Sequence, residues 1–348
     1  MSIRITRKGW LAIPLAFLLL ATAACGGDDD DDAKADDGGG SGALSGNINL
    51  VAYSTPQEAY KEIEAAFQQT DEGKDVKFTE SFGPSGDQSR AVEAGQPADY
   101  VGFSLEPDIT RLVKAGLVAD DWNKNDYKGQ VTNSVVVLAV RKGNPKDIEG
   151  WDDLIKDDVE VITPNPFQSG GAMWNILAAY GAQLEQGKSE DEAKAYLKKL
   201  FDHVPVQDES ARKALQTFTG GKGDVLIAYE NEAIFAQQAG EDIEYVVPDQ
   251  TILIENPIAV TSNSENPDAA QAFAEYVYTP EAQEIFVKNG YRPVVDGIEG
   301  ADEFPTPEKL FDITKFGGWS DAKAKFFDPE SDSIMKVIEE DLGVATSK

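Results

Sequence analysis

From Asn47 onward, short β-rich apolar runs alternate with stretches in which apolar residues return at helical spacing, the pattern of an α/β fold with mostly parallel strands. Asn49 to Ser54 reads as the first strand. It stops at Ser54, Thr55 and Pro56, after which Ala59, Ile63, Ala66 and Phe67 form the stripe of a helix. Asp75 to Phe82 repeats the arrangement, ending in Gly83, Pro84, Ser85 and Gly86 before a helix through Ala91 and Val92. Ala98 to Ser104 is a third strand, with a helix from Pro107 to Ala115, and Val135 to Arg141 is a long β-branched strand. Ser189 to His203 is a charged helix, followed by strands at Val204 to Gln207, Asp224 to Tyr229 and Ile243 to Val247. Between the first two of these, Asp208, Glu209, Ser210 and Ala211 lead into a helix marked by Leu215 and Phe218. Thr251 to Thr261, interrupted by Pro257, is a second long connection. From Asn266 the chain is helical, with Ala269, Phe273, Tyr276, Val277 and Ile285 as its stripe and Gly290 as a stop.

The most informative stretch runs from Val159 to Gln183. The strand Val159 to Thr163 is closed by Pro164, Asn165 and Pro166. Phe167, Gln168, Ser169, Gly170 and Gly171 then open a helix striped by Met173, Trp174, Ile176, Leu177 and Tyr180. The first turn of a helix has main-chain N–H groups without internal partners and carries partial positive charge, so glycines there let an anion approach the bare backbone. The same residues also suit a plain N-cap with glycines that relieve a tight turn. Two of the first three strands end in similar Ser/Pro/Gly loops. Ligands collect at the carboxyl ends of strands in open α/β sheets, so three such loops together point to one shared ligand.

At 348 residues, 41% hydrophobic and 27% charged, the chain has room for two globular domains. Arg4, Arg7 and Lys8 precede an apolar run from Trp10 to Ala24, too short to span a membrane and suited to a secretory signal over residues 1–24. Cys25, the only cysteine, follows Ala21, Thr22, Ala23 and Ala24; the placement resembles a bacterial lipoprotein signal, with Thr22 a departure from the usual larger aliphatic residue. An ordinary cleavage site is the alternative. A single cysteine excludes a disulfide within the chain. The net charge is −31, and removal of three basic and no acidic residues with the signal would leave −34, which argues against nucleic acid as a partner. The Asp28 to Asp32 run and the Gly38 to Gly42 stretch read as a solvated tether within residues 25–45. Against so much negative charge, association with an anion should speed up as salt screens the repulsion; a rate that falls would indicate a local basic patch. Catalysis finds little support. His203 is alone at a charged helix end, and no pair of acids stands in an apolar setting.

Several motifs resemble one family, the sulfate-binding and thiosulfate-binding proteins of ATP-binding-cassette importers. They are Arg-Lys-Gly-Asn-Pro at 141–145, Trp151 with Asp152, Asp153, Leu154 and Ile155, and Val-Ile-Thr-Pro-Asn-Pro at 161–166. Ser169-Gly-Gly-Ala with Trp174 and Asn175, Gly-Asp-Val-Leu-Ile at 223–227, Glu-Asn-Glu-Ala at 230–233, Tyr-Arg-Pro at 291–293 and Phe-Gly-Gly-Trp at 316–319 continue the likeness. It extends from about Leu50 to about Phe327.

The resemblance implies a two-lobe α/β fold of the type II periplasmic-binding-protein kind. Residues 46–138 plus 258–348 would form one lobe and 139–257 the other, joined by crossing strands Val135 to Arg141 and Thr251 to Thr261, with the ligand between the lobes. It also implies a sulfate site of main-chain N–H groups and neutral donors. Carried over by position, these fall on Ser54, Ser85, Ser169, Gly170, Gly171 and Ala211, and on Tyr229 where the family has a tryptophan donor. A phenol can also accept, which loosens the demand for an unprotonated anion. Arg212, matched by an arginine in the family, would tie neighbouring main-chain groups or place positive charge behind the site; a plain surface arginine is the alternative. Asp208, Glu209 and Glu230 lie near these donors in sequence, and one pointing inward would favour a protonated anion. The implied partners are sulfate or a related oxyanion (thiosulfate, molybdate, tungstate or phosphate), permease subunits, and the outer face of a membrane through lipid on Cys25. The expected protein is a monomeric transport component without cofactor or metal. A surface lipoprotein that senses or adheres is the reading from a different class.

Overall fold

The computed structural model describes residues 44–344 and 346. The expected signal, the lipid site at Cys25 and the tether as far as residue 43 lie outside them. The elements in chain order are β1 (Ser45–Tyr53), α1 (Gln57–Phe67), β2 (Asp75–Gly83), α2 (Ser85–Glu93), β3 (Tyr100–Gly102), α3 (Glu106–Lys114) and β4 (Gln130–Arg141). β5 (Val161–Ile162), α4 (Gly170–Glu185), α5 (Glu190–Asp202), α6 (Ala211–Thr219), β6 (Val225–Tyr229), α7 (Glu230–Gln238), β7 (Ile243–Val246) and β8 (Gln250–Val260) follow. The rest comprises α8 (Pro267–Tyr276), α9 (Pro280–Lys288), β9 (Arg292–Pro293), β10 (Lys309–Phe311), α10 (Trp319–Ala322) and α11 (Ile334–Asp341), with short 3-10 and π turns between them.

The sheet runs β2-β1-β3-β8-β4-β6-β5. β1 lies parallel to β2 and β3, and β5 parallel to β6, while the long strands β4 and β8 pair antiparallel in the middle. The two expected crossing strands are therefore the seam between the parallel halves. Along β4 the alternation of strand side chains sends Val136, Leu138 and Val140 to one core and Val135, Val137 and Ala139 to another. A separate core around Ile48, Leu50, Tyr60, Phe67, Phe273 and Phe286 holds the first half.

Three expectations differ in detail. The helical stretch after Asn266 breaks at Thr279, which caps α9 while Pro280 takes its first turn, because proline cannot continue a helix from its N-terminal side. Val204 to Gln207 pairs with the sheet through one bridge, Val206 to Ile162. The third is the C-terminal segment, grouped by the resemblance with the first half. Ile313, Trp319, Phe326, Phe327 and Ile338 instead join the core built on Trp174, Leu177 and Leu200. The reason is α4, which is buried on nearly every side; such a helix needs cover all round. Trp319 packs edge-on to Trp174 at 4.7 Å and Phe326 to Tyr180 at 4.9 Å.

Candidate anion-binding site

Six segments meet at one small cavity. Tyr53, Ser54 and Thr55 come from the end of β1, Pro84 and Ser85 from the start of α2, and Ser104 from just beyond β3. Ser169, Gly170 and Gly171 open α4, Ser210 and Ala211 open α6, and Tyr229 ends β6. All seven residues picked from the sequence, Ser54, Ser85, Ser169, Gly170, Gly171, Ala211 and Tyr229, line it. Tyr53, Thr55, Ser104 and Ser210 line it as well, beyond the sequence-based expectation. Ser104 had the same signal as Ser54, a hydroxyl at the carboxyl end of a strand; Tyr53 looked like one more apolar strand residue. The cavity volume is ≈ 10 Å³, the scale of one small species, whereas clefts for drug-sized ligands run to roughly 300–1,000 Å³.

Among the described residues, none that lines the cavity carries a charged side chain. The lining offers hydrogen-bond donors. Ser169 caps α4 by accepting from the Ala172 N–H at 3.4 Å, and Ser210 caps α6 by accepting from the Lys213 N–H at 3.2 Å. With the oxygen occupied as acceptor, each hydroxyl keeps its hydrogen to donate. The first-turn N–H groups of Gly170, Gly171 and Ala211 have no carbonyl within their own helices. Ser85 differs: its hydroxyl donates to Asp108 Oδ2 at 2.7 Å and accepts from the Ser104 N–H at 3.1 Å, so what remains for a ligand is its main-chain N–H at the start of α2.

Two phenols complete the wall. Tyr229 Oη lies 2.9 Å from Ser104 Oγ; whichever of the two donates, the other's hydrogen is left over. Among the described residues the buried Tyr53 hydroxyl has no partner within hydrogen-bonding geometry, although Thr55 and Tyr291, bonded to each other at 2.9 Å, stand close enough to pull on it. An unpaired buried hydroxyl costs about 1–3 kcal/mol unless a ligand meets it. Burial pushes both phenols above the ordinary tyrosine range, against an opposing pull from Thr55 and Tyr291 on Tyr53 and from Ser104 on Tyr229. Both therefore stay protonated at neutral pH.

The cavity lies where the two halves of the chain touch. Trp174 Nε1 donates to the Ser104 carbonyl at 2.8 Å. Gly170 sits so close to the opposite wall that a Cβ there would come within 2.6 Å of Ser104 Oγ and 3.0 Å of Leu105 Cγ. Glycine is required there by the approach itself.

Charged groups stand one layer back, in pairs. Arg212 bonds Glu232 at 2.8 Å, Glu58 at 3.0 Å and the Thr55 carbonyl at 2.9 Å, and lies over the Phe235 ring. It thus donates to a main-chain carbonyl at the cavity rim. With two carboxylates around it, it places no net positive charge there. Glu230 turns to Arg292 at 2.7 Å, and neither it, Asp208 nor Glu209 lines the cavity. Burial raises the pKa of Glu230 and of Glu232 above the usual carboxylate range, with Arg292 and Arg212 respectively pulling the other way. Among the described residues no group of His, Cys, Asp and Glu is arranged to hold a metal ion, and no helix is long and apolar enough to cross a membrane.

Two α/β lobes meeting over a small cavity of donors define a solute-binding protein of the type II periplasmic kind. The family model described as bacterial extracellular solute-binding protein matches residues 48–292. The sulfate-binding protein of Escherichia coli is 41% identical over 295 residues, 80% of this chain and 88% of that protein. The thiosulfate-binding protein of Pseudomonas aeruginosa is 36% identical over 80% of this chain and 88% of its own length. The solved structure of the sulfate-binding protein SubI from Mycobacterium tuberculosis is 44% identical, with a TM-score of 0.79 over 81% of this chain and 99% of that one. The chain belongs to the sulfate-binding protein family of bacterial extracellular solute-binding proteins.

Proposed function

We propose that this protein captures sulfate outside the cytoplasm and delivers it to an ATP-binding-cassette importer, as a binding protein and not as an enzyme. The observation that carries the reading is the lining itself: main-chain N–H groups and hydroxyls from both halves of the chain, with no charged side chain among them. Sulfate at neutral pH is a dianion without protons, so it needs donors only. Ser54, Ser85, Gly170, Gly171 and Ala211 would supply main-chain N–H groups and Ser169 and Tyr229 hydroxyls, with the unpaired Tyr53 hydroxyl as a further donor. Seven bonds to a charged acceptor give on the order of 10–20 kcal/mol gross at roughly 1.5–3 kcal/mol each. Lobe closure and lost freedom take back a large share, leaving micromolar or tighter binding, about −8 kcal/mol or beyond. Hydrogen phosphate would bury a proton for which the lining side chains offer only hydroxyl oxygens as acceptors, and each of those is better used as a donor.

The lobes would hinge at β4 and β8. Residues 46–138 with 258–308 would move as one body and 139–257 as the other, the segment 309–342 riding with the second because its aromatic side chains are part of that core. The protein would act as a monomer, anchored through lipid on Cys25 to the outer face of the cell membrane, where it meets the permease. Cys25→Ala is expected to release it from the membrane fraction.

Calorimetry against sulfate, thiosulfate, molybdate and phosphate at two pH values tests the reading. One sulfate per chain at micromolar or tighter affinity is expected, with phosphate weaker by about ten-fold or more, the cost of one unmet buried donor. No heat with sulfate, or phosphate bound as tightly, would overturn it; tighter thiosulfate would reassign the ligand.

A further inference from the structure

On the outer side of the cavity wall a groove of ≈ 600 Å³ runs between α2, α3 and the segment after α10. Gly170 and Leu105 form part of its floor, so it backs directly onto the glycine turn of the cavity. Three cations line it in a chain of net charge −31: Arg90, Arg111 and Lys323. Arg111, Lys114 and Lys323 also line the adjoining hollow, together with Glu93 and Glu106.

The cations differ in how they are occupied. Arg90 pairs with Asp87 on its own helix. Arg111 pairs with Asp108 at 3.0 Å and donates to Ser89 Oγ at 2.9 Å, with Glu93 at 3.6 Å. Lys323 is half-buried, and among the described residues its ammonium has neither a hydrogen bond nor an ion pair. Its ordinary pKa is lowered by burial, and repulsion from Arg111, Lys114 and Arg90 adds to the effect against an opposing pull from Asp108. That carboxylate is already shared between Arg111 and Ser85. The other acids of the groove are turned elsewhere or exposed: Asp328 accepts from the Glu330 N–H, and Glu330 lies in solvent. A partly desolvated ammonium facing three like charges is a position that a bound anion would relieve.

We infer that this groove is a second anion site, for a small multivalent oxyanion, centred on Lys323 and flanked by Arg90 and Arg111. It works by the physics opposite to that of the cavity. Its charges sit on flexible side chains in contact with water, so it binds weakly, exchanges fast and is screened by salt. Placed against the wall of the cavity, it gathers anions at one spot on a molecule that otherwise repels them. The acceleration by salt expected from net charge alone then reverses: association with the cavity slows as salt rises.

The assignment stands independently of the cavity's ligand. The test is a sulfate titration followed by calorimetry and by NMR of labelled lysine, continued to tens of millimolar at constant ionic strength with chloride as control. Wild-type protein is expected to show a weak sulfate phase that moves the Lys323 signal. Lys323→Met should weaken that phase at least about ten-fold while leaving any tight phase unchanged, and Arg90→Gln should weaken it less. No weak phase in the wild type, the same weak phase with chloride, or a weak phase that survives both substitutions would overturn the site. The tight phase reports the cavity and the weak one the groove, so each can fail alone.

Discussion

Among the described residues no side chain that lines the cavity is charged, whereas Arg212, Glu232, Glu230 and Arg292, one layer behind it, are all largely or wholly buried ions. The inner layer holds fixed dipoles, which can meet a dianion without leaving an unmatched charge when it departs. The outer layer holds full charges, but each is matched on the spot, so little net field reaches the cavity. Its work is mechanical. Arg212 in α6 reaches Glu58 in α1, and Arg292 in β9 reaches Glu230 in α7, so both pairs cross from one half of the chain to the other. On the proposed function, affinity and closure would fall to different groups, and substitutions can separate them.

The largest effect should come from the outer layer. Arg292→Gln leaves Glu230, 0% exposed, without its cation. Breaking such a buried pair costs about 3–5 kcal/mol, because a carboxylate is stranded in the interior. Chemical denaturation should show that loss, and Arg292→Met combined with Glu230→Leu should recover most of it. A double variant no better than the single one would mean that the pair holds geometry that an apolar contact cannot.

Next is the seam between the lobes. Gly170→Ala drives a Cβ into Ser104 Oγ across the cavity, while Gly171→Ala meets the Ala211 Cβ at 3.3 Å and Ser169 Oγ and Tyr229 Cε1 at 3.5 Å, all in its own half. Sulfate affinity should fall about 100-fold in the first and markedly less in the second, read by calorimetry, with small-angle scattering showing the first held open. Equal losses would show that the two glycines matter only for their amides.

Part of this arrangement was open to reading from the chain. Ser54, Ser85 and Ser169 each stand where a β-branched run ends and a helix begins, a local signal that needs no tertiary knowledge, and the motifs around 169–171 and 223–233 supplied the partners from the other half. Tyr53 could not be found that way. Its side chain continues an apolar strand, and only the packing of Thr55 against Tyr291 reveals that its hydroxyl lacks a partner. The groove escaped for a related reason: Arg90, Arg111 and Lys323 are spread over more than 200 residues and meet only because 313–338 wraps over α4. Net charge pointed to repulsion everywhere; local placement overrides it.

Tyr53→Phe sharpens the comparison within the inner layer. If the orphan hydroxyl waits for the anion, sulfate affinity should drop about ten-fold while the ligand-free protein is as stable as before or slightly more so, since a buried unpaired group has been removed. Tyr229→Phe should lower affinity and also cost stability, because Ser104 Oγ loses its 2.9 Å partner. Equal behaviour of the two variants without sulfate would contradict the difference assigned to them.

The smallest expected effect is that of pH on the tight site. Tyr53 and Tyr229 are the only titratable side chains among the described lining residues, and burial moves both upward, away from the working range. Their protonated forms are the donors. A raised folded-state value means that the donors are complete at every pH below it and are lost only as pH climbs through it, beyond the ordinary tyrosine value of about 10. Sulfate affinity should therefore change less than about two-fold between pH 7 and pH 9. A site that relied on a lysine or a histidine would lose its anion as that cation discharged. A ten-fold fall across this interval, measured by calorimetry in buffers of matched ionic strength, would mean that a titrating cation holds the ligand and that the dipoles are not sufficient.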